Sequence, residues 1–333
     1  MKTRAILTLI LAFAGALLVS AATEESFQTN LTVLPAGKLI VDVDFGAIEV
    51  TTNAASQVSL DVYRKVSMPT SVKEREFLDE RPIVVSREGN TVTIRARKPG
   101  KTSWNWSFGR QSTEGRFRIA VPASFNTVLN TRGGPIHVSD LAATVQADTS
   151  GGGLRFTRIL ADITGNTSGG GIQLSECQGT LKVDTSGGGI QSEGGSGSLR
   201  ANTSGGSITV RNFGGPAHLD TSGGGIRVEN VRGTVSGSTS GGSIHASLPS
   251  PVPGTVKLST SGGGIELQVP STAAFDLDAS TSAGGVSCDL PIVTNGKPHH
   301  DHLKGPVNGG GPRVELQTSA GGVRIRSLSV SAK

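Results

Sequence analysis

Lys182, Arg200 and His218 recur at an interval of eighteen residues, so a chain that completes one turn every eighteen residues would stack them into a row of cationic side chains. The chemistry open to such a row is contact with an acidic polymer, although Asp184 and Asp220, two residues further along, would neutralise much of its charge. Trp104 and Trp106, the only tryptophans of the chain, lead into Phe108 in a segment otherwise rich in Gly, Arg and Ser. Aromatic faces of this kind are platforms for sugars and protein partners, and they serve equally to cap an exposed core. His299, His300, Asp301 and His302 bring imidazoles together, but near-adjacent residues rarely converge on one tetrahedral ion, and no cysteine is close by. The expectation there is a solvated loop without metal.

Catalysis would need acids and bases converging on one face. The column His137, Arg155, Gln173, Gln191, Thr209, Arg227 and His245 contains no acid cluster, so no catalytic residue and no cofactor are expected. A formal net charge of +5 over 333 residues is too mild to imply nucleic acid as a partner.

What must position all of these residues is a repeat. The motif Thr-Ser-Gly-Gly-Gly-Ile begins at Thr149, Thr167, Thr185, Thr203, Thr221 and Thr239, with a degenerate copy at Thr131. Later copies at Thr260, Thr281 and Thr318 follow after spacings of 21, 21 and 37 residues, so the period survives with insertions. Between threonines, apolar and polar residues alternate, which is the period of a strand and not of a helix. One inward column runs through Ile136, Leu154, Ile172, Ile190, Ile208, Ile226, Ile244, Ile265, Val286 and Val323. A second strand supplies Val145, Ile163, Leu181, Leu199 and Val235. The predicted fold is all-β: a parallel β-helix, or β-solenoid, with two strands and about eighteen residues per rung. An isolated rung buries too little apolar surface to offset the entropy of ordering it, so the array has to be continuous and capped.

Glycine stands three residues after each threonine, at Gly134, Gly152, Gly170, Gly188, Gly206, Gly224, Gly242, Gly263, Gly284 and Gly321. A turn with positive φ in every rung would require this. The residues before the threonines, Asp148, Asn166, Asp184, Asn202 and Asp220, are expected to face outward as a hydrogen-bonding ladder, and Glu193, Arg211 and Glu229 as a ladder of alternating charge. Cys177 and Cys288 would stand several rungs apart, outside disulfide reach.

The N-terminus reads as a secretory leader. Lys2 and Arg4 precede an apolar run over 5–19, then the small residues Ser20, Ala21 and Ala22, with cleavage expected after Ala21 or Ala22. The run is too short to span a bilayer, and no transmembrane segment is expected after cleavage. From Phe27 to Asn130 the threonine motif is absent but strand signals continue at 39–43, 48–51, 58–62, 83–86, 91–96 and 116–121. Ser71-Val72-Lys73-Glu74 has the capping-box pattern of a short helix running to about Asp79, read as a cover for the open end of the solenoid.

The tandem TSGGGI units, the segment VDVDFGAIEV at 41–50, the lead-in RIAVPA at 118–123 and the closing VELQTSAGGV at 314–323 together resemble the bacterial putative adhesin domain family over nearly the whole chain. That resemblance implies a β-helical envelope or secreted protein and carries over no catalytic residue. The resulting organisation is a leader at 1–22, an N-terminal β region and cap at 23–130 continuous with the solenoid, and solenoid repeats at 131–333 with a loop insertion near 291–312. The function expected is a non-enzymatic exported scaffold, periplasmic, on the outer surface or secreted, that binds a surface glycan or an envelope or matrix protein. The competing expectation is a polysaccharide lyase or hydrolase built on a β-helix.

Overall fold

The computed structural model describes residues 22–99, 112–294 and 299–328. Residues 1–21 of the expected leader and the Trp104, Trp106 and Phe108 segment lie outside them. The chain divides into two compact units, residues 1–167 and 168–333.

Each unit is made of two sheets, and each rung gives one strand to either sheet. In the second unit the first sheet runs Ile172–Ser175, Ile190–Glu193, Ile208–Arg211, Ile226–Glu229, Ile244–Ser247, Ile265–Pro270, Val323–Leu328 and Val286–Cys288. Its companion runs Gln178–Thr185, Ser196–Thr203, Ala217–Thr221, Val235–Thr239, Val256–Thr260, Arg313–Thr318, Phe275–Thr281 and His302–Val307. Pairing is parallel with a register of eighteen: Ile172 faces Ile190, Ile190 faces Ile208, and Ile208 faces Ile226. The aliphatic columns read from the sequence are buried, because a two-residue side-chain period puts every second residue of both strands between the sheets. Val286 is the exception and is only half-buried; its strand is outermost in its sheet.

The C-terminal end departs from chain order. Thr318 stacks on Thr260 and Thr281 stacks on Thr318, so the last coil, 313–328, lies between the coils of 256–270 and 275–288. The sequence reading of the 37-residue spacing as a rung followed by an insertion is therefore corrected: the final repeat returns to fill a slot that the chain had skipped. The predicted loop near 291–312 also contains a strand, His302–Val307, antiparallel to Phe275–Thr281.

In the first unit, Lys38–Val43 and Ala47–Asn53 form a coil against Asn126–Thr131 and Ile136–Ser139, with Leu39 beside Thr127 and Ile48 beside Ile136. Thr91–Ala96 and Ser112–Pro122 pair with that coil on its other side. Two antiparallel strands, Gln57–Ser67 and Thr23–Thr32, then extend one sheet. Thr23–Thr32 was not anticipated, because an edge strand outside the repeat carries no periodic signal. The one helix among the described residues, Ser71–Asp79, packs Leu78 with Phe45 and Val66. Its N-cap is Thr70, whose hydroxyl accepts from the Lys73 N–H at 3.4 Å; the Ser71/Glu74 box read from the sequence is shifted by one residue and does not form. The sheet ends at Thr23–Thr32, so the helix does not replace the edge.

The glycine column is present for a different reason from the one predicted. The backbone at Gly134, Gly152, Gly188, Gly206, Gly224, Gly242, Gly263, Gly284 and Gly321 is not left-handed. A Cβ on Gly188 would collide with the carbonyl of Gly170, one on Gly206 with that of Gly188, and one on Gly284 with that of Gly321. The constraint is the close approach of stacked turns. Positive φ belongs to the other corner, where Asp140, Arg158, Glu176, Gly194, Asn212 and Asn230 recur every eighteen residues at φ between 52° and 69°. Asp and Asn tolerate this region because their short polar side chains bond locally.

The threonines complete the turn. Thr203 Oγ1 donates to the Gly188 carbonyl at 2.8 Å and accepts from the Gly206 N–H at 3.3 Å, and the same pair of bonds recurs at Thr149, Thr185, Thr221, Thr239, Thr260 and Thr318. One buried hydroxyl thus ties its own turn to the turn below.

Candidate functional site

Lys182, Arg200 and His218 are directly opposite one another on successive strands, and the row continues through Ser236 to Lys257. Lys257 was missed in the sequence, because the 21-residue spacing moves it three positions out of period. The row lies in a shallow groove of about 500 Å³ whose lining includes Thr180, Ser198, Pro216 and Thr234 beside the cations. The sheet itself sets this geometry: Leu181 and Leu199 are buried beneath, so their neighbours Lys182 and Arg200 must point to solvent.

The charges along the row are not equally matched. His218 Nε2 lies 2.8 Å from Asp220 Oδ2, and Lys257 Nζ lies 3.1 Å from Glu315 Oε1. Asp184 is engaged by the Asn202 side-chain amide at 2.6 Å, which realises the predicted Asp/Asn ladder, as does Asn166 on Asp148 at 2.7 Å. Among the described residues Lys182 and Arg200 are exposed and have no ion pair, although like charges facing each other across neighbouring strands repel. Nothing in the fold requires that arrangement.

The other sequence-derived groups are structural or scattered. Arg211 pairs with Glu229 at 2.8 Å, while Glu193 takes the Asn212 amide at 2.7 Å, so the charge ladder forms on one side only. His302 is in a strand, with Nε2 3.2 Å from Asp278 Oδ1, and the described residues hold no cluster of three potential metal ligands. Neither Cys177 nor Cys288 is in a disulfide; burial raises the pKa of the Cys288 thiol. Nothing in the residue pattern points to the ion cluster around Asp44, which is buried and lies 3.0 Å from Arg132 Nη1 and 3.1 Å from Arg81 Nε, with the Lys98 N–H at 3.0 Å. Those three partners come from three separate segments, and Asp44 holds them together.

Acid–base chemistry has a signature that can be checked. Asp278 and Glu315 face each other on neighbouring strands, as a pair of carboxylates would have to for glycoside hydrolysis. The Lys304 ammonium bonded to Asp278 holds its carboxyl below the usual range, with His302 contributing. Glu229, held by Arg211, and Glu266, held first by the Gln268 amide, are displaced the same way.

The stacked two-strand coils agree with a family profile, Toastrack DUF4097, that matches residues 38–326. The chain belongs to the Toastrack family. No curated protein is detectably similar to it. Three solved structures overlap this Toastrack chain at low identity. One, from Parabacteroides merdae and described as a putative adhesin, is 12% identical over 91% of this chain and 96% of its own, with a TM-score of 0.39. Another putative adhesin, from Bacteroides fragilis, is 16% identical over 91% and 97%, with a TM-score of 0.30. The third, from Parabacteroides distasonis, is described as a putative lipid binding protein and is 12% identical over 90% and 96%, with a TM-score of 0.36. Overlaps this loose carry no argument about what the Toastrack chain binds. No helix among its described residues is long and apolar enough to cross a membrane.

Proposed function

We propose that this Toastrack chain is an exported, non-enzymatic scaffold acting in adhesion or envelope structure, and that it holds an acidic surface glycan along the row Lys182, Arg200, His218 and Lys257. The observation that carries the reading is the adjacent pair of exposed cations, Lys182 and Arg200, without a counter-ion among the described residues. An anionic chain laid across the strands would supply the missing charge at each rung, with Ser198 and Thr234 lining the groove beside it. The hydrolase alternative needs a carboxylic acid that keeps its proton near neutral pH. Among the described residues every carboxylate with a displaced pKa, from Glu24 and Glu74 to Asp278, is displaced downward, which favours binding over acid-catalysed hydrolysis.

Binding of the mature protein to acidic and neutral polysaccharides and to matrix proteins, over a range of salt, tests this. Acidic glycans should bind, weaken as salt rises, and remain unshortened. Lys182→Glu with Arg200→Glu should lower affinity at least about tenfold, since removing two charge contacts is worth on the order of 1.4 kcal/mol or more. Unchanged binding by that variant, with loss in Trp104→Ala/Trp106→Ala, would move the site to the aromatic segment. Shortened polymer would reverse the assignment in favour of an enzyme.

A further inference from the structure

Glu74 is a carboxylate almost wholly removed from solvent, 4% exposed, in the first turn of the helix. Its Oε1 accepts from the Met68 N–H at 2.9 Å. Its Oε2 accepts twice from one residue, from Thr23 N at 3.1 Å and from Thr23 Oγ1 at 2.7 Å. Among the described residues no Lys, Arg or His pairs with it, whereas the acids that follow Thr23 in its strand do find cations: Glu24 has Lys65 at 2.9 Å and Glu25 has Arg64. Its hydrogen bonds, the Met68 N–H first, outweigh the burial and hold the carboxyl below its ordinary range, so Glu74 is a charged group with no opposite charge beside it among the described residues.

Thr23 also lies on the outermost strand of this sheet. It is the first residue of the strand Thr23–Thr32, opposite Val66, and Ser20-Ala21-Ala22 immediately before it are the small residues that leader peptidases accept at the positions preceding a cut. We propose that the chain is cut between Ala22 and Thr23, and that Glu74 is a built seat for the α-ammonium released there. A leader peptidase of the export machinery adds water across the Ala22–Thr23 amide; the carboxylate leaves with Ala22 and the protonated amine stays on Thr23. The nitrogen already 3.1 Å from Oε2 then changes from a neutral amide with one hydrogen to a cation with three, and Glu74 gains its missing charge without any heavy atom moving. Processing and closure of the N-terminal strand thereby become one event.

This rests on the export reading, and the two fail differently. Intact mass and N-terminal sequencing of the protein recovered outside the cytoplasm should give Thr23 as the first residue. Exported protein starting at Ala22 or elsewhere overturns the proposed seat and leaves export standing; protein retained inside with residues 1–22 attached overturns both. A second measurement compares acylation of the α-amine in refolded proteins starting at Thr23 and at Ala22. The Thr23 amine should react about tenfold more slowly, and Glu74→Gln in the Thr23 protein should restore the faster rate. Equal rates for the two starting points would overturn the proposal whatever the fate of the variant.

Discussion

Gly206 and Gly205 are adjacent in sequence and opposite in tolerance. An added methyl on Gly205 would lie 3.4 Å from the Gly187 carbonyl, an ordinary contact, whereas on Gly206 it would overlap the Gly188 carbonyl. Gly205→Ala should therefore leave the thermal midpoint nearly unchanged, and Gly206→Ala should destabilise by about 1–3 kcal/mol or prevent folding. Thr203→Val keeps the shape but strands the Gly188 carbonyl and Gly206 N–H, an expected loss of about 1–3 kcal/mol in denaturant unfolding, while Thr203→Ser should retain both bonds. At the other corner, Glu176 is held at φ 55°, so Glu176→Asn, matching Asn212 and Asn230, should raise stability by up to about 1 kcal/mol. The recurring Thr and Gly were legible as a repeat from residue type alone. Which corner is left-handed was not, because Arg158 and Glu176 give no hint of positive φ, while a run of glycines invites that assignment wrongly.

Strand pairing at the C-terminal end depends on one carboxylate. Asp278 accepts from Lys304 Nζ at 2.9 Å, lies 3.2 Å from His302 Nε2, and so bonds two residues of the antiparallel strand it faces. Lys304 is the main cause of its lowered pKa. Because the native pKa lies below the unfolded one, the contribution to stability is fully present above the ordinary aspartate value near 4 and is lost as pH falls through the lowered native value. Hydrogen exchange should show His302–Val307 opening selectively in that acid range, and Asp278→Asn should open it already at neutral pH. The parallel strands of the repeat were readable because alternation and period reinforce each other over many copies. Antiparallel strands such as Thr23–Thr32 and His302–Val307 have one partner each and no copy elsewhere, so only the tertiary structure reveals them. Lys257 was missed for a related reason: a three-residue insertion hides a member of a column without moving it in space.

The period predicts a solenoid across residues 131–333, and the family match over 38–326 places the N-terminal coil of Lys38–Asn53 in the same scheme. What the period could not reveal is that stacking order and chain order separate after Pro270. Deleting residues 309–333 should leave Val256–Thr260 and Phe275–Thr281 with facing unpaired edges, and the shortened protein should self-associate in sedimentation and lose protease resistance in this region. The same arrangement has a consequence for biogenesis. A polypeptide that folds from its N-terminal side can wind its early turns in chain order, but here residues 313–328 must slide between the coils of 256–270 and 275–288, which precede them in the chain. That coil serves as a keystone between two earlier turns rather than as one more step of the stack.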